Sequence, residues 1–215
     1  MTRVLSVETS THGRVLIEDA AGSSSGLTAV AFHGYGQSAE DVLSEVRAIP
    51  GAAGWRLASV QALHQFYTRA DQRVVASWMT RQDREQAIAD NVAYVDKAVG
   101  AAGLQAGRLI FLGFSQGASM AYRAALLGRH RVDGVVAVGG DIPPELKDGT
   151  ADRIWPPVLV GAGARDPWYT GAKLEADVEF LKSHDVAHEL VRYDGAHEWT
   201  DELKARIGEW TGRLF

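Results

Sequence analysis

The chain has 215 residues, of which 46% are hydrophobic and 23% charged, and a formal net charge of -5. That is enough chain for one domain with a substantial core, and the acidic balance argues against the basic footprint of a nucleic-acid binder. The absence of cysteine excludes disulfides, thiolate metal sites and a thiol nucleophile.

The N-terminus, "MTRVLSVETSTHGRVLIED", is interrupted by charge too early for the apolar region of a signal peptide. No apolar run approaches the ~20 residues a membrane helix needs. A cytoplasmic location is the default expectation, and a homodimer is left open. Two β-rich stretches, "RVLSVET" and "RVLIEDA", flank a turn-like "STHG" and predict an N-terminal antiparallel hairpin. The small-residue stretch "AGSSSG" at 21–26 reads as a loop.

Beyond it, short apolar runs alternate with longer helical patterns. "LTAVAFH" precedes "AEDVLSEVRAI", "RLASVQA" precedes "DREQAIADNVAYVDKAVGAA", and "RLIFLGF" precedes "GASMAYRAALLG". Then come "GVVAVGG", "PVLVGAG" with "AKLEADVEFLKSH", and "HELVRYDG" with "DELKARIGEWTGRL". This alternation predicts an α/β fold: a mainly parallel sheet of about eight strands, counting the hairpin, with helices on both faces. Ser38 and Asp41 form a candidate capping pair. Ile88, Val92, Val95 and Val99 recur at helical spacing and predict a buried face. No linker divides the chain, so residues 1–215 read as one domain without a large lid.

Within this frame "GFSQG" ends an apolar run and opens a helical segment. Gly-x-Ser-x-Gly alone is a weak signal, and an ordinary loop serine would fit it. A strand before the serine and a helix after it are what a nucleophile turn requires, and Gly113 and Gly117 remove Cβ atoms where the two would meet. A serine hydroxyl needs a general base. On this architecture the partners follow in the order acid, then histidine. Asp166 lies just past "VLVGAGA" and His197 just past "ELVRYDGA", both at strand C-terminal ends, where sites form in open α/β sheets. Asp166 would otherwise be a helix N-cap, and Asp141 is the nearest rival acid. The backbone N–H groups of Gln116 and Tyr35, the latter in "FHGYGQSAED", are the expected oxyanion donors. His33 is expected to brace that loop rather than move a proton. His184 and His188 straddle a helix end and a strand start, so they are not read as a metal pair. "GAGARD" lacks the third glycine of a dinucleotide loop.

Five segments together carry a resemblance: "FHGYGQSAED" at 32–41, "SWMTRQDREQAI" at 77–88, "GRLIFLGFSQGASMA" at 107–121, "GARDPWY" at 163–169 and "DGAHEW" at 194–199. With them, residues from about 27 to 215 resemble the α/β-hydrolase fold. More narrowly, they resemble the small phospholipase/carboxylesterase family, which includes acyl-protein thioesterases and bacterial carboxylesterases. The resemblance implies a serine hydrolase acting on esters, with thioesters and lysophospholipids as related substrates. It implies Ser115, Asp166 and His197 as the triad and the Tyr35 and Gln116 amides as the oxyanion hole. No metal or cofactor is expected, and a small ester or acyl compound is the expected partner. The chain departs from the family pattern at Trp168 and Tyr169, at Ala196 and at Gly140–Asp141. These departures leave the acyl pocket and the natural substrate open.

Aromatic residues crowd the predicted loop face: Tyr35, Phe66, Tyr67, Trp78, Trp168, Tyr169 and Trp199. Core packing beneath long loops and an apolar substrate pocket both account for them. Trp78, Trp168 and Tyr169 are the expected substrate contacts. Trp78 leads because it lies in the segment that resembles the family's Trp-Phe stretch.

Overall fold

The computed structural model describes residues 1–21, 24–148 and 153–215. Thus part of the loop expected at 21–26 lies outside the described residues. Strands β1 (Arg14–Glu18), β2 (Leu27–Phe32) and β3 (Arg56–Gln61) flank helix α1 (Ala39–Arg47). A small antiparallel hairpin follows, β4 (His64–Tyr67) with β5 (Val74–Ser77), and then α2 (Arg84–Ala101). The second half runs β6 (Arg108–Phe114), α3 (Gln116–Leu127), β7 (Gly134–Val138), α4 (Pro144–Lys147), β8 (Val158–Gly163), α5 (Gly171–Ser183), β9 (His188–Tyr193) and α6 (Asp201–Leu214).

Seven strands form the main sheet in the order β1-β3-β2-β6-β7-β8-β9. Only β1 is antiparallel to its neighbour. The six parallel strands are the six apolar runs of the sequence. Alternate residues of each strand feed two separate cores. Val30, Phe32 and Phe111 pack with residues of α2, α3 and α5 on one face. Ala29, Ala31 and Leu112 pack with α1 and α6 on the other. A sheet buried on both faces needs continuous apolar runs rather than alternating ones, as the central strands β2, β6, β7 and β8 are. The predicted face of α2, Ile88, Val92, Val95 and Val99, is buried. Ser38 and Asp41 form a complete capping box: the Ser38 hydroxyl accepts from the Asp41 amide and the Asp41 carboxylate accepts from the Ser38 amide.

The N-terminal pairing differs in detail from the expectation. The second predicted arm is β1, but its partner is β3, and residues 3–9 carry no strand. Val4, Leu5 and Val7 are exposed. β1 is thus an edge strand of the sheet. The β4–β5 hairpin was not anticipated. All four residues of β4 are exposed, so no buried stripe marks it in the sequence. No helix among the described residues is long and apolar enough to cross a membrane.

The chain reverses its direction of travel between β2 and β6. From β2 it moves through α1 to β3 on one side, and from β6 it moves through β7 and β8 to β9 on the other. Such a switch point leaves a crevice at the strand C-terminal ends. The segments after β2 and β6 open into it.

Candidate active site

Ser115 sits between β6 and α3 with φ 55° and ψ −119°. A non-glycine residue there is strained. The surroundings hold it in place: its amide donates to the Val138 carbonyl at 2.8 Å, and its carbonyl accepts from the Ala118 amide at 3.0 Å. The flanking glycines are required by contact. A Cβ on Gly113 would lie 2.1 Å from the Gly117 carbonyl oxygen, and one on Gly117 would lie 2.0 Å from that of Phe32. The turn therefore presses α3 against β6 and β2 and points the α3 N-terminus at the serine, where developing negative charge is favoured.

Asp166 follows β8 and His197 follows β9. Two backbone hydrogen bonds, Ala164 amide to Tyr193 carbonyl and Arg165 amide to Gly195 carbonyl, both 2.9 Å, lash the two loops together. The Asp166 Oδ2 accepts from His197 Nδ1 at 2.7 Å. Its Oδ1 accepts from the amides of Trp168 at 2.8 Å and Tyr169 at 2.9 Å. Burial alone would raise the Asp166 carboxyl. The hydrogen bonds from His197 and the two amides outweigh it and hold the group below its ordinary value. With Nδ1 committed to the carboxylate, Nε2 is the nitrogen left to exchange a proton. The imidazole packs on Phe114, the residue before Ser115, with ring centroids 4.8 Å apart. Gly139 lies beneath it: a Cβ there would come within 3.1 Å of the ring. Ser115 is linked to this pair through Phe114, which precedes it in the chain and packs on the imidazole.

On the other side, His33 is fully buried. Its Nδ1 donates to the Gly34 carbonyl at 2.7 Å, and its Nε2 accepts from the Ala62 amide at 3.1 Å. Burial pushes its pKa down, consistent with a neutral ring that braces the loop. Among the described residues the amides of Tyr35 and Gln116 have no protein acceptor. The Gln116 side chain is engaged through both its oxygen and its nitrogen. Its Oε1 accepts from the Trp78 amide at 2.8 Å and the Ser77 hydroxyl at 3.2 Å, and its Nε2 donates to the Met79 carbonyl at 2.9 Å. Asn91 from α2 donates to the Trp78 carbonyl at 2.6 Å. These contacts fasten the start of α3 to the segment after β5.

Two expected substrate contacts are corrected. Trp78 is fully buried, edge-on to Phe32, and its indole N–H donates to the His33 carbonyl at 2.9 Å. It supports the loop after β2 from inside the core and leaves no surface for a substrate. Tyr169 is 2% exposed and its hydroxyl points to Asp177. Trp168, at 71% exposure, Tyr67, at 66%, and Tyr35, at 65%, are the most open of these aromatics, and the Tyr35 ring lies 5.6 Å from that of Phe66. The rival acid Asp141 turns to Lys173, 3.6 Å away. Gly139, Asp177 and Asn91 were missed. The only signal for the first was the "GG" closing the β7 run.

A seven-stranded, mostly parallel sheet with a serine on a strained strand–helix turn, an acid after β8 and a histidine after β9 defines an α/β hydrolase. The family model for phospholipases/carboxylesterases matches residues 26–207. The chain belongs to that family of carboxylic ester hydrolases. Esterase PE8 is similar in structure, with a TM-score of 0.75 and 19% identity over 95% of this chain and 100% of that one. A carboxylesterase from Mesorhizobium loti has a TM-score of 0.71 and 21% identity over 93% of each chain. Zea mays acyl-protein thioesterase 2 has a TM-score of 0.71 and 16% identity over 94% of this chain and 99% of that one. At these identities the likeness speaks for the fold alone. No curated protein matches the chain.

Proposed function

We propose that the protein cleaves carboxylic esters, and thioesters by the same route, through an acyl-enzyme on Ser115. The observation that carries this reading is the 2.7 Å Asp166–His197 hydrogen bond beside a serine held at positive φ. In this mechanism His197 Nε2 takes the Ser115 proton as Oγ attacks the acyl carbonyl. Asp166 holds the Nδ1–H tautomer and stabilises the imidazolium. The tetrahedral oxyanion accepts from the Tyr35 and Gln116 amides. The alcohol or thiol leaves with the proton from His197, and water repeats the sequence on the acyl-enzyme.

Trp168, Tyr35 and Phe66 offer apolar surface around the mouth of the site, which suits an acyl or aryl group on a small ester. Lysophospholipid hydrolysis on the same triad is the second reading, and a chain-length panel of esters and thioesters separates the two. Ser115→Ala is expected to abolish turnover of p-nitrophenyl butyrate and labelling by a fluorophosphonate probe, with an unchanged circular dichroism spectrum. Turnover retained in that variant would sink the assignment.

A further inference from the structure

Asp177, in α5, is a carboxylate at 1% exposure. An ionised group so deep is costly unless every lone pair is used, and this one is well used. Its Oδ2 accepts from the Ile142 amide at 3.0 Å and the Tyr169 hydroxyl at 2.9 Å. Its Oδ1 accepts from the Lys147 ammonium at 2.7 Å. The three partners come from three segments: the loop after β7, α4, and the loop between β8 and α5.

Two of those segments carry the active site. Tyr169 is held at both ends, its amide on Asp166 Oδ1 and its hydroxyl on Asp177. Burial and the nearby Asp177 charge both push the Tyr169 hydroxyl toward its protonated form, so it donates. Ile142 closes the loop that begins with Gly139 and Gly140. Gly139 lies against the His197 ring and Asp166 Oδ2, and Gly140 lies against the Ser115 carbonyl. One buried carboxylate thus ties the support of the acid to the support of the imidazole and the serine.

We propose that Asp177 is a positioning residue for ester hydrolysis: through Tyr169 and Ile142 it fixes Asp166 and the Gly139–Gly140 turn against His197. The proposal rests on the Ser115 reading above. A carboxylate that merely bolts α5 to α4 would set stability and leave the chemical step alone. One that positions the acid acts on kcat while substrate binding stays intact.

The test is steady-state kinetics with p-nitrophenyl butyrate on the wild type, Ser115→Ala, Tyr169→Phe, Asp177→Asn and Asp177→Ala, each checked by circular dichroism at the assay temperature. Tyr169→Phe removes one hydrogen bond and is expected to lower kcat about three- to tenfold, with KM within about twofold. Asp177→Ala is expected to lower kcat roughly ten- to hundredfold, as loss of orientation does. Asp177→Asn keeps an acceptor for Tyr169 and Ile142 and is expected to recover most of that loss. Should Asp177→Ala fail to fold, Tyr169→Phe, which leaves the Lys147 pair intact, decides alone. Folded variants with wild-type kcat, or a loss carried by KM, would overturn the positioning role. Absence of Ser115-dependent turnover in the wild type would overturn the function, and the positioning role with it.

Discussion

At Gly117 the chain has no room for a methyl group, because the Phe32 carbonyl stands where it would go. That carbonyl is backbone in the central strand β2 and cannot swing aside, so Gly117→Ala must push α3 away from the sheet. Overpacking of this kind costs about 1–3 kcal/mol. Gly117→Ala is expected to lower Tm by several degrees in a thermal melt and to reduce esterase activity by moving the Gln116 amide. An unchanged melt would show that the turn is looser than the contact implies. At this scale the positions of Ser115, Asp166 and His197 just beyond the C-terminal ends of β6, β8 and β9 were legible, because each follows a predicted strand in the sequence. Trp78 and Tyr169 were not. An aromatic side chain does not announce which way it turns, and both turn inward to satisfy a polar tip, on the His33 carbonyl and on Asp177. Asp177 itself reads in the sequence as one more charge on a charged helix, since two of its three partners, Ile142 and Lys147, lie 35 and 30 residues away in the chain.

Among the elements, α4 has one turn yet ties together two long helices. Glu145 accepts from Arg123 of α3 at 2.7 Å and from Arg84 of α2 at 2.8 Å. Burial alone would raise the Glu145 carboxyl, but the two guanidinium groups outweigh it and hold it down at about 2. A depressed carboxyl contributes stability that is complete above its ordinary 4.5 and is lost as pH falls toward the folded value. Thermal melts of Glu145→Gln and the wild type are therefore expected to differ at pH 7 and to converge between about pH 4.5 and 2. A gap that persists at the acid end would assign the effect to packing. The strands of this half and the long helices α3, α5 and α6 were legible from their apolar runs and helical patterns, whereas the single turn of α4 was too short to show a periodicity. The β4–β5 hairpin was not legible either, since β4 buries no side chain and its order comes from β5 and the Gln37–Ala76 bridge.

For the molecule as a whole, the sheet's two edges are treated differently. β9 is packed by α6 and leads into the His197 loop, whereas β1 is preceded by exposed chain. Residues 1–12 are exposed throughout and carry no helix or strand. Just beyond them, Gly13 has no space for a Cβ beside Tyr94. Removal of residues 1–12 is expected to leave both Tm and ester turnover unchanged within error. A fall in either would reveal a contact made by that segment in solution.

The strand order has a kinetic consequence. β2 and β6 lie side by side, yet the chain between Phe32 and Arg108 must first be looped out for them to meet. Closing a loop of that length spends entropy before any contact rewards it, and such non-local pairing slows folding. The Tyr35 amide travels with β2 and Ser115 with β6, so a nascent or refolding chain holds neither half of the site in working order until this pairing has formed. On the proposed mechanism, hydrolytic competence therefore waits for a pairing between segments far apart in the chain.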